Sequence, residues 1–329
     1  ERPGGILILQ GHNPVSDASD WTSMPPRITL RPTDSIDLHM HTWASDGGWD
    51  PPALAQHLAD RGFRVIAVAD HDTMYSVPAM QREAVERGMI LIPAVEVTTR
   101  WNGRQVHVLI YGIDLDSSRA AAFRDLMALQ REQLRATAQR AADLIEHHGR
   151  RIPALAEMSR GLSLTPHHVF TAMIRAGHGH NLYQAHNIVR SLGEPVVVDV
   201  PIGDTIAAAH EAGAIAIVAH PGRDEGNGIL TAELLDQLRQ EAPVDGVEAH
   251  YRSYKDADVQ RYRDWADERR LLVSTGSDSH RPAFPVDPIA FEARWSAALL
   301  ERLGIEVEPW DGPAWEPATA PEPVAATAG

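Results

Sequence analysis

Two hydrophobic periods alternate along this chain. Short, nearly unbroken apolar runs such as Val65-Ile66-Ala67-Val68-Ala69 and Ala214-Ile215-Ala216-Ile217-Val218 end in polar residues. Runs of that length, rich in β-branched residues, are the pattern of parallel strands buried on both faces. It predicts strands at 35–40, 65–70, 90–97, 105–111, 214–220, 245–250 and 271–276. Between them the apolar spacing changes to three and four, the period of an amphipathic helix. Asp50 is placed to cap a helix with Pro51 at its first position, Leu54 and Leu58 on one face and Gly62 as its stop. Asp204 is placed to start another ending near Gly213, and residues 230–241, 255–269 and 289–303 carry the same spacing. Seven strands with intervening helices predict an α/β fold, a (β/α) barrel.

The rhythm is interrupted once, by a helical insertion over 115–204. A long helix there carries Phe123, Leu126, Met127, Leu134, Leu144 and Ile145 and ends at Gly149; a second carries Val169, Phe170, Met173 and Ile174 and ends near Gly177. The expected organisation is an irregular N-terminal extension at 1–34, a barrel built from 35–114 and 205–308, the insertion, and a Pro/Ala-rich tail at 309–329 expected to be disordered.

Composition narrows the function. With 43% apolar residues in 329, the chain can bury a substantial core, and no run of about 18 apolar residues reads as a membrane span. Residues 1–11 lack the basic and apolar regions of a signal peptide, so a cytoplasmic location is expected. There is no cysteine, which excludes disulfides, thiolate metal ligands and a cysteine nucleophile. The net charge of -15 opposes binding to a nucleic-acid backbone, so no stable nucleic-acid complex is expected. A small phosphorylated substrate drawn to bound cations remains compatible with that charge. The anomaly is 17 scattered histidines.

Their positions fall at related places. His39 and His41 close the first strand, two apart and therefore on one face. Asp46 follows in the next loop, His71 ends the second strand within Ala69-Asp70-His71-Asp72-Thr73, and Glu96 lies near the end of the third. His107 lies in the fourth, His220 ends the fifth, and Asp278 and His280 follow the seventh. The C-terminal ends of parallel barrel strands converge on one face. Imidazoles and carboxylates are ligands for divalent Zn, Mn and Fe. Nine such groups exceed one tetrahedral site and suit two or three ions sharing bridging carboxylates. Each piece has a plainer reading: Asp70-His71-Asp72 as a turn cluster, Glu96 as a paired core carboxylate. Without metal, however, desolvating the whole set costs several kcal/mol per unpaired charge, and ions relieve every member together.

The ordered set Asp37-Leu38-His39-Met40-His41-Thr42, Ser45-Asp46-Gly47, Ala69-Asp70-His71-Asp72, Glu96, His107, Ala219-His220-Pro221 and Ser277-Asp278-Ser279-His280 resembles the PHP (polymerase and histidinol phosphatase) family over roughly 35–114 and 205–285. The resemblance implies a distorted seven-stranded (β/α) barrel and metal-dependent hydrolysis of phosphate esters. It implies a first ion on His39, His41, Glu96 and Asp278, a second on Glu96, His107 and His220, and a third on Asp46, His71 and His280. Some members have His at the Asp46 position; a carboxylate there still suits Mn, Fe or Zn. Three such ions bring about +6 against about -3 from Asp46, Glu96 and Asp278, a local attraction for phosphate. The expected mechanism is attack on phosphorus by a hydroxide bridging the first two ions.

Arg223 is a candidate bidentate phosphate clamp, or a partner of Asp224. His250 is a candidate substrate contact or a lining residue. His57, His147, His148 and His210 read as surface or packing residues, and His167, His168, His178, His180 and His186 as mostly solvent-facing, with the alternative that the insertion covers the barrel mouth and contributes a substrate contact. PHP enzymes with a similar insertion that act on nucleotides often carry Arg-Pro-His; this chain has Leu164-Thr165-Pro166-His167-His168, which keeps the histidine and loses the arginine. The leading expectation is a phosphoesterase acting on a 3',5'-bisphosphate or a short oligonucleotide. A histidinol-phosphate phosphatase and a noncatalytic metal-binding module are the alternatives. An amidohydrolase-like site with a carboxylated lysine is disfavoured, since the only lysine, Lys255, falls in a helix or loop.

Overall fold

The strands are β1 (Thr29–Leu30), β2 (Ser35–Met40), β3 (Phe63–Val68), β4 (Ile90–Trp101), β5 (Arg104–Tyr111), β6 (Ile215–Val218), β7 (Gly246–Tyr251), β8 (Leu272–Gly276), β9 (Phe291–Glu292) and β10 (Glu306–Val307). The helices are α1 (Pro51–Asp60), α2 (Val77–Glu86), α3 (Ala121–His147), α4 (Leu155–Met158), α5 (Pro166–Arg175), α6 (Leu182–Ser191), α7 (Ile202–Glu211), α8 (Ala232–Glu241), α9 (Asp256–Glu268) and α10 (Ala297–Arg302). This computed structural model describes residues 29–159, 161–194, 196, 200–224 and 228–317.

All seven expected strands form, in the sheet order β8-β7-β6-β5-β4-β3-β2-β9. The sheet curls until its two ends meet. Asp278 N donates to His39 O (2.7 Å) and His41 N donates to Ser279 O (2.9 Å), so the chain leaving β8 joins β2. The result is a distorted, nearly closed barrel. The eighth strand was not anticipated: Phe291 pairs antiparallel with Ile36, and only 297–302 of the expected helix at 289–303 is α-helical.

β5 departs from the all-parallel expectation, running antiparallel to both β4 and β6. The cause is local. Asn102 (φ 48°) and Gly103 (φ 76°) both take left-handed backbone, and Trp101 pairs directly with Arg104, a two-residue hairpin. The reversal places the first half of β5, with His107, at the barrel mouth. β4 also runs to Trp101 rather than Val97, which puts Glu96 mid-strand.

Core clusters pin these elements. Leu38, Ala67, Leu109 and Ile217 pack with Leu30 and Leu300. Met40, Ile66 and Val68 meet Leu54 and Leu58 of α1, and Val97 and Val108 meet Phe123 of α3 and Ile206 of α7. Asp50 does sit at the N-cap of α1, but its side chain makes no capping bond; Asp204 lies inside the first turn of α7 rather than starting it. α3 and α5 stop before Gly149 and Gly177, both left-handed, as the pattern predicts. α2, α4 and α6 were not anticipated. α3, α5 and α6 share a core of Ala138, Ile145, Val169, Met173 and Val189.

Two expectations about the ends are corrected in part. Thr29–Leu30 is a strand, paired parallel with β10. Residues 309–317 are mostly exposed, but two of their rings touch the barrel: the Arg294 guanidinium stacks 4.9 Å from the Trp310 ring, and Trp315 lies 5.7 Å from His250. The rest of the expected extension and tail, 1–28 and 318–329, lies outside the described residues. No helix among the described residues is long and apolar enough to cross a membrane.

Candidate metal centre

The nine expected ligands converge at the barrel mouth. His39 Nε2 lies 3.0 Å from Glu96 Oε2 and 3.1 Å from His41 Nε2. His41 Nε2 lies 3.1 Å from the same Glu96 oxygen and 3.0 Å from Asp278 Oδ1. The other Glu96 oxygen, Oε1, faces His107 Nδ1 at 3.1 Å and His220 Nε2 at 2.9 Å. Asp46 Oδ2 lies 3.0 Å from His280 Nε2 and 3.8 Å from His71 Nε2. Potential ligand atoms thus group as His39-His41-Glu96-Asp278, His41-Asp46-His71-His280 and His71-Glu96-His107. The first two groups contain the sets implied for the first and third ions. In the third, His71 joins Glu96 and His107, while His220 reaches the same site through Glu96 Oε1.

Local backbone makes this convergence. Gly47 turns so tightly that a Cβ there would sit 2.7 Å from His41 O, which brings Asp46 back over His41. His220 (φ 26°) and Asp278 (φ 50°) adopt left-handed backbone that non-glycine residues rarely take, a strain held by the surrounding fold. Further carboxylates, not singled out as site residues, brace the ligands. Glu248, wholly buried, faces His39 Nδ1 at 2.9 Å with Oε1 and accepts from His220 N at 2.8 Å with Oε2. Asp37 accepts from Ser277 N and Ile289 N, both at 3.0 Å. Asp70 does act as a turn clasp, accepting from Thr42 N (2.6 Å), Thr42 Oγ1 (2.7 Å), Ser45 Oγ (2.7 Å) and Ser76 Oγ. Asp72 accepts from Thr98 N (2.8 Å) and from Gln130 Nε2 of α3 (2.7 Å).

Asp278 is held most heavily. Tyr251 OH donates to its Oδ2 at 2.7 Å, Arg252 pairs with the same oxygen, and Arg223 Nη1 approaches it at 3.2 Å. Arg223 therefore already has an acidic partner in the site, and its half-open side chain reaches the mouth. Arg252 went unnoticed in the sequence because nothing in Tyr251-Arg252-Ser253 marks it as turned inward.

The carboxylates and imidazoles are tightly coupled. Burial pushes Glu96 up, but the His71, His39 and His107 imidazoles outweigh it and hold its carboxyl well below the usual range. Burial likewise opposes ionisation of Asp46 and Asp278, and neighbouring imidazoles again prevail. Burial opposes charge on His41, yet Asp278 and Glu96 raise it to about 10, while burial drives His71 down to about 3. His41 Nδ1 and His71 Nδ1 are buried without a hydrogen-bond partner. An acceptor-rich cluster with unpartnered imidazole nitrogens, built only from nitrogen and oxygen donors, fits divalent Mn, Fe or Zn.

The remaining histidines separate. His250 faces away from the cluster, 2.8 Å from Arg263 Nη1 and stacked 4.6 Å from Trp295. His210 pairs with Asp245, and His57 packs on Trp49. Within 115–204 the solvent-facing expectation is corrected for His168, and His167 and His186 follow the alternative of an insertion over the mouth. His168 is buried and joins Thr165 in a capping box; His167 and His186 line a cleft. That cleft, about 430 Å³, has Asp46, His71 and His107 on its floor and Leu134, His167, Phe170 and His186 on the facing wall.

Comparison with known proteins agrees with this architecture. The PHP domain profile matches residues 37–173. The chain is 30% identical over 256 residues to the 5'-3' exoribonuclease of Haemophilus influenzae, covering 76% of this chain and 91% of that one. It is 26% identical over 254 residues to the 3',5'-nucleoside bisphosphate phosphatase of Chromobacterium violaceum, covering 75% and 88%. A solved structure from the same species, described as an amidohydrolase with bound sulfate and no metal, superposes with a TM-score of 0.66 at 25% identity, covering 77% of this chain and 90% of that one. The likeness runs through nearly the full length of each relative, and the chain belongs to the PHP domain family of metal-dependent phosphoesterases.

Proposed function

We propose that this enzyme hydrolyses a phosphate ester of a nucleotide, as a 3',5'-bisphosphate or at the end of a short oligonucleotide. The observation that carries the reading is the single cleft joining two chemistries. Its floor of Asp46, His71 and His107 suits a metal-held phosphate, and its wall of Leu134, Phe170 and His186 suits a sugar and base. Phe170 and His186 lie 5.6 Å apart with their planes 35° apart, an aromatic corner against which a base can lie. The activities for which the exoribonuclease and the bisphosphate phosphatase are named favour the same class.

The ligand assignment proposed is His39, His41, Glu96 and Asp278 for one ion, Glu96, His107 and His220 for a second, and Asp46, His71 and His280 for a third. Two or three divalent ions there would supply Lewis acidity and a water whose pKa falls to near 7. The chain's own groups do the positioning. Glu248 fixes the His39 ring through Nδ1, leaving Nε2 toward Glu96. Tyr251 and Arg252 hold Asp278 Oδ2, leaving Oδ1 toward His41. Arg223, at the mouth beside Asp278, is the candidate contact for a nonbridging phosphate oxygen. Leu134 and Phe170 keep water from the apolar side of the cleft.

The test is release of phosphate from adenosine 3',5'-bisphosphate, and of mononucleotide from a 5'-phosphorylated trinucleotide. Metal-free protein is reloaded with Mn, Fe or Zn, with His39→Ala beside it. Metal-dependent turnover that the substitution abolishes supports the reading. Turnover of histidinol phosphate alone would replace it.

A further inference from the structure

Two of the loops that deliver metal ligands also carry large exposed aromatic rings. Trp43 stands two residues after His41 and Tyr75 four after His71. Their side chains are 38% and 59% exposed, and the rings meet edge to face with centroids 5.6 Å apart. Single exposed aromatics are ordinary on a protein surface. These two touch each other, come from different ligand loops, and stand where Tyr75 forms the edge of the cleft.

Their mounting is rigid. Asp70 binds Thr42 and Ser45 on either side of Trp43, and Ser76 next to Tyr75, so one carboxylate clasps both loops. Trp43 N donates to Trp49 O at 3.0 Å and Tyr75 N to Thr73 Oγ1 at 3.2 Å. Loops held this firmly add little ordering cost when a flat ligand settles on the rings they carry.

Charge and size select that ligand. At a net charge of -15, the protein has little general attraction for a phosphate backbone, so affinity beyond the metal floor has to come from another source. Base–aromatic stacking tolerates any base and needs no net positive charge. The cleft, about 430 Å³, lies near the small end of ligand pockets and suits one nucleotide; Tyr75 stands at its edge and Trp43 outside its lining.

We infer that Trp43 and Tyr75 form a stacking platform for the neighbouring nucleobase beyond the phosphate being cleaved. This makes the end of a single-stranded oligonucleotide a better substrate than a mononucleotide. The inference rests on the nucleotide reading above and adds to it a subsite outside the metal floor and the cleft wall.

The test compares kcat/KM of the metal-loaded enzyme on three substrates: a 5'-phosphorylated trinucleotide, the same trinucleotide with an abasic second residue, and adenosine 3',5'-bisphosphate. The wild type should favour the full trinucleotide over the abasic one by roughly tenfold, mostly through KM. In Trp43→Ala and Tyr75→Ala that ratio should collapse toward one, and Trp43→Phe should restore most of it. If the substitutions merely disturb the ligand loops, activity on all three substrates falls together and the ratio stays, which overturns the platform. A wild-type ratio near one overturns it as well. Absence of turnover on every nucleotide, with metal bound, would instead fell the nucleotide reading itself.

Discussion

Glu248 and His250 sit two residues apart on one strand, and alternation would place them on one face. They face opposite ways because the β7–β8 register shifts between them: Glu248 pairs with Ser274 and His250 with Thr275. That irregularity is invisible in the sequence, which is why His250 drew notice as a substrate contact and Glu248 did not. Glu248→Gln should test the buried brace. The amide can still accept from His39 or from His220 N, but not from both with its two terminal atoms. Metal affinity should fall about 10- to 100-fold with the fold retained, read by titrating metal into stripped protein and by circular dichroism. Unchanged affinity would reduce Glu248 to a packing residue. His250 carries a stability prediction instead. Burial, and then the Arg263 charge, push its pKa down to about 3, below the ordinary value of 6.5. The folded state therefore refuses a proton that the unfolded chain accepts. The contribution is full above pH 6.5 and is lost as pH falls toward 3. Between pH 6 and 4 the wild type should lose about 2 kcal/mol more stability than His250→Gln, which keeps an acceptor for Arg263. Parallel urea-unfolding curves at the two pH values would contradict this assignment.

At the scale of elements, the strands were legible because a strand buried on both faces writes a continuous apolar run. Five of the six ligand-bearing strands needed only that rhythm and the parallel barrel. The sixth did not follow it. His107 reaches the mouth because β5 is reversed by the Asn102-Gly103 turn, a hairpin signal present in the sequence but hidden beneath the expected βα alternation. Likewise the apolar spacing at 289–303 mixed a strand that caps β2 with a short helix, and periodicity over so few residues cannot separate them. The element most sensitive to a single atom is the end of β8. A Cβ on Gly276 would overlap His39 Cβ and Glu248 Oε1. Gly276→Ala should therefore separate β8 from β2, costing about 1–3 kcal/mol as an overpacked core does. It should also weaken metal binding, because His39 moves with it. Gly103→Ala makes the contrast: no atom lies within 4 Å of its Cβ, and only the left-handed φ of 76° is strained. It should cost about 1 kcal/mol and leave metal affinity alone. Equal effects of the two substitutions on metal titration would refute the steric account.

The molecule as a whole is a barrel with one weak seam. β2 meets the segment after β8 through His41 N to Ser279 O and Asp278 N to His39 O, without a regular ladder between the two strands. The proposed ligands straddle that seam: His39 and His41 come from one side, Asp278 and His280 from the other. Ions held there would close the barrel as well as serve its chemistry, and every ion that binds only the folded state stabilises it by mass action. An ion present at about 100 times its dissociation constant adds about 2.7 kcal/mol. Chelation should therefore lower the melting temperature by several degrees. The location of the loss is the sharper prediction. In metal-free protein the amides of His41 and Asp278 should exchange with solvent markedly faster. Those of the β4–β5 hairpin, secured by eight paired positions and the Val97–Val108–Phe123 core, should keep their protection. Uniform acceleration across the sheet would mean that the ions stabilise the fold globally rather than at the seam. No acceleration at His41 and Asp278 would mean that the carboxylate and imidazole network closes the barrel without them.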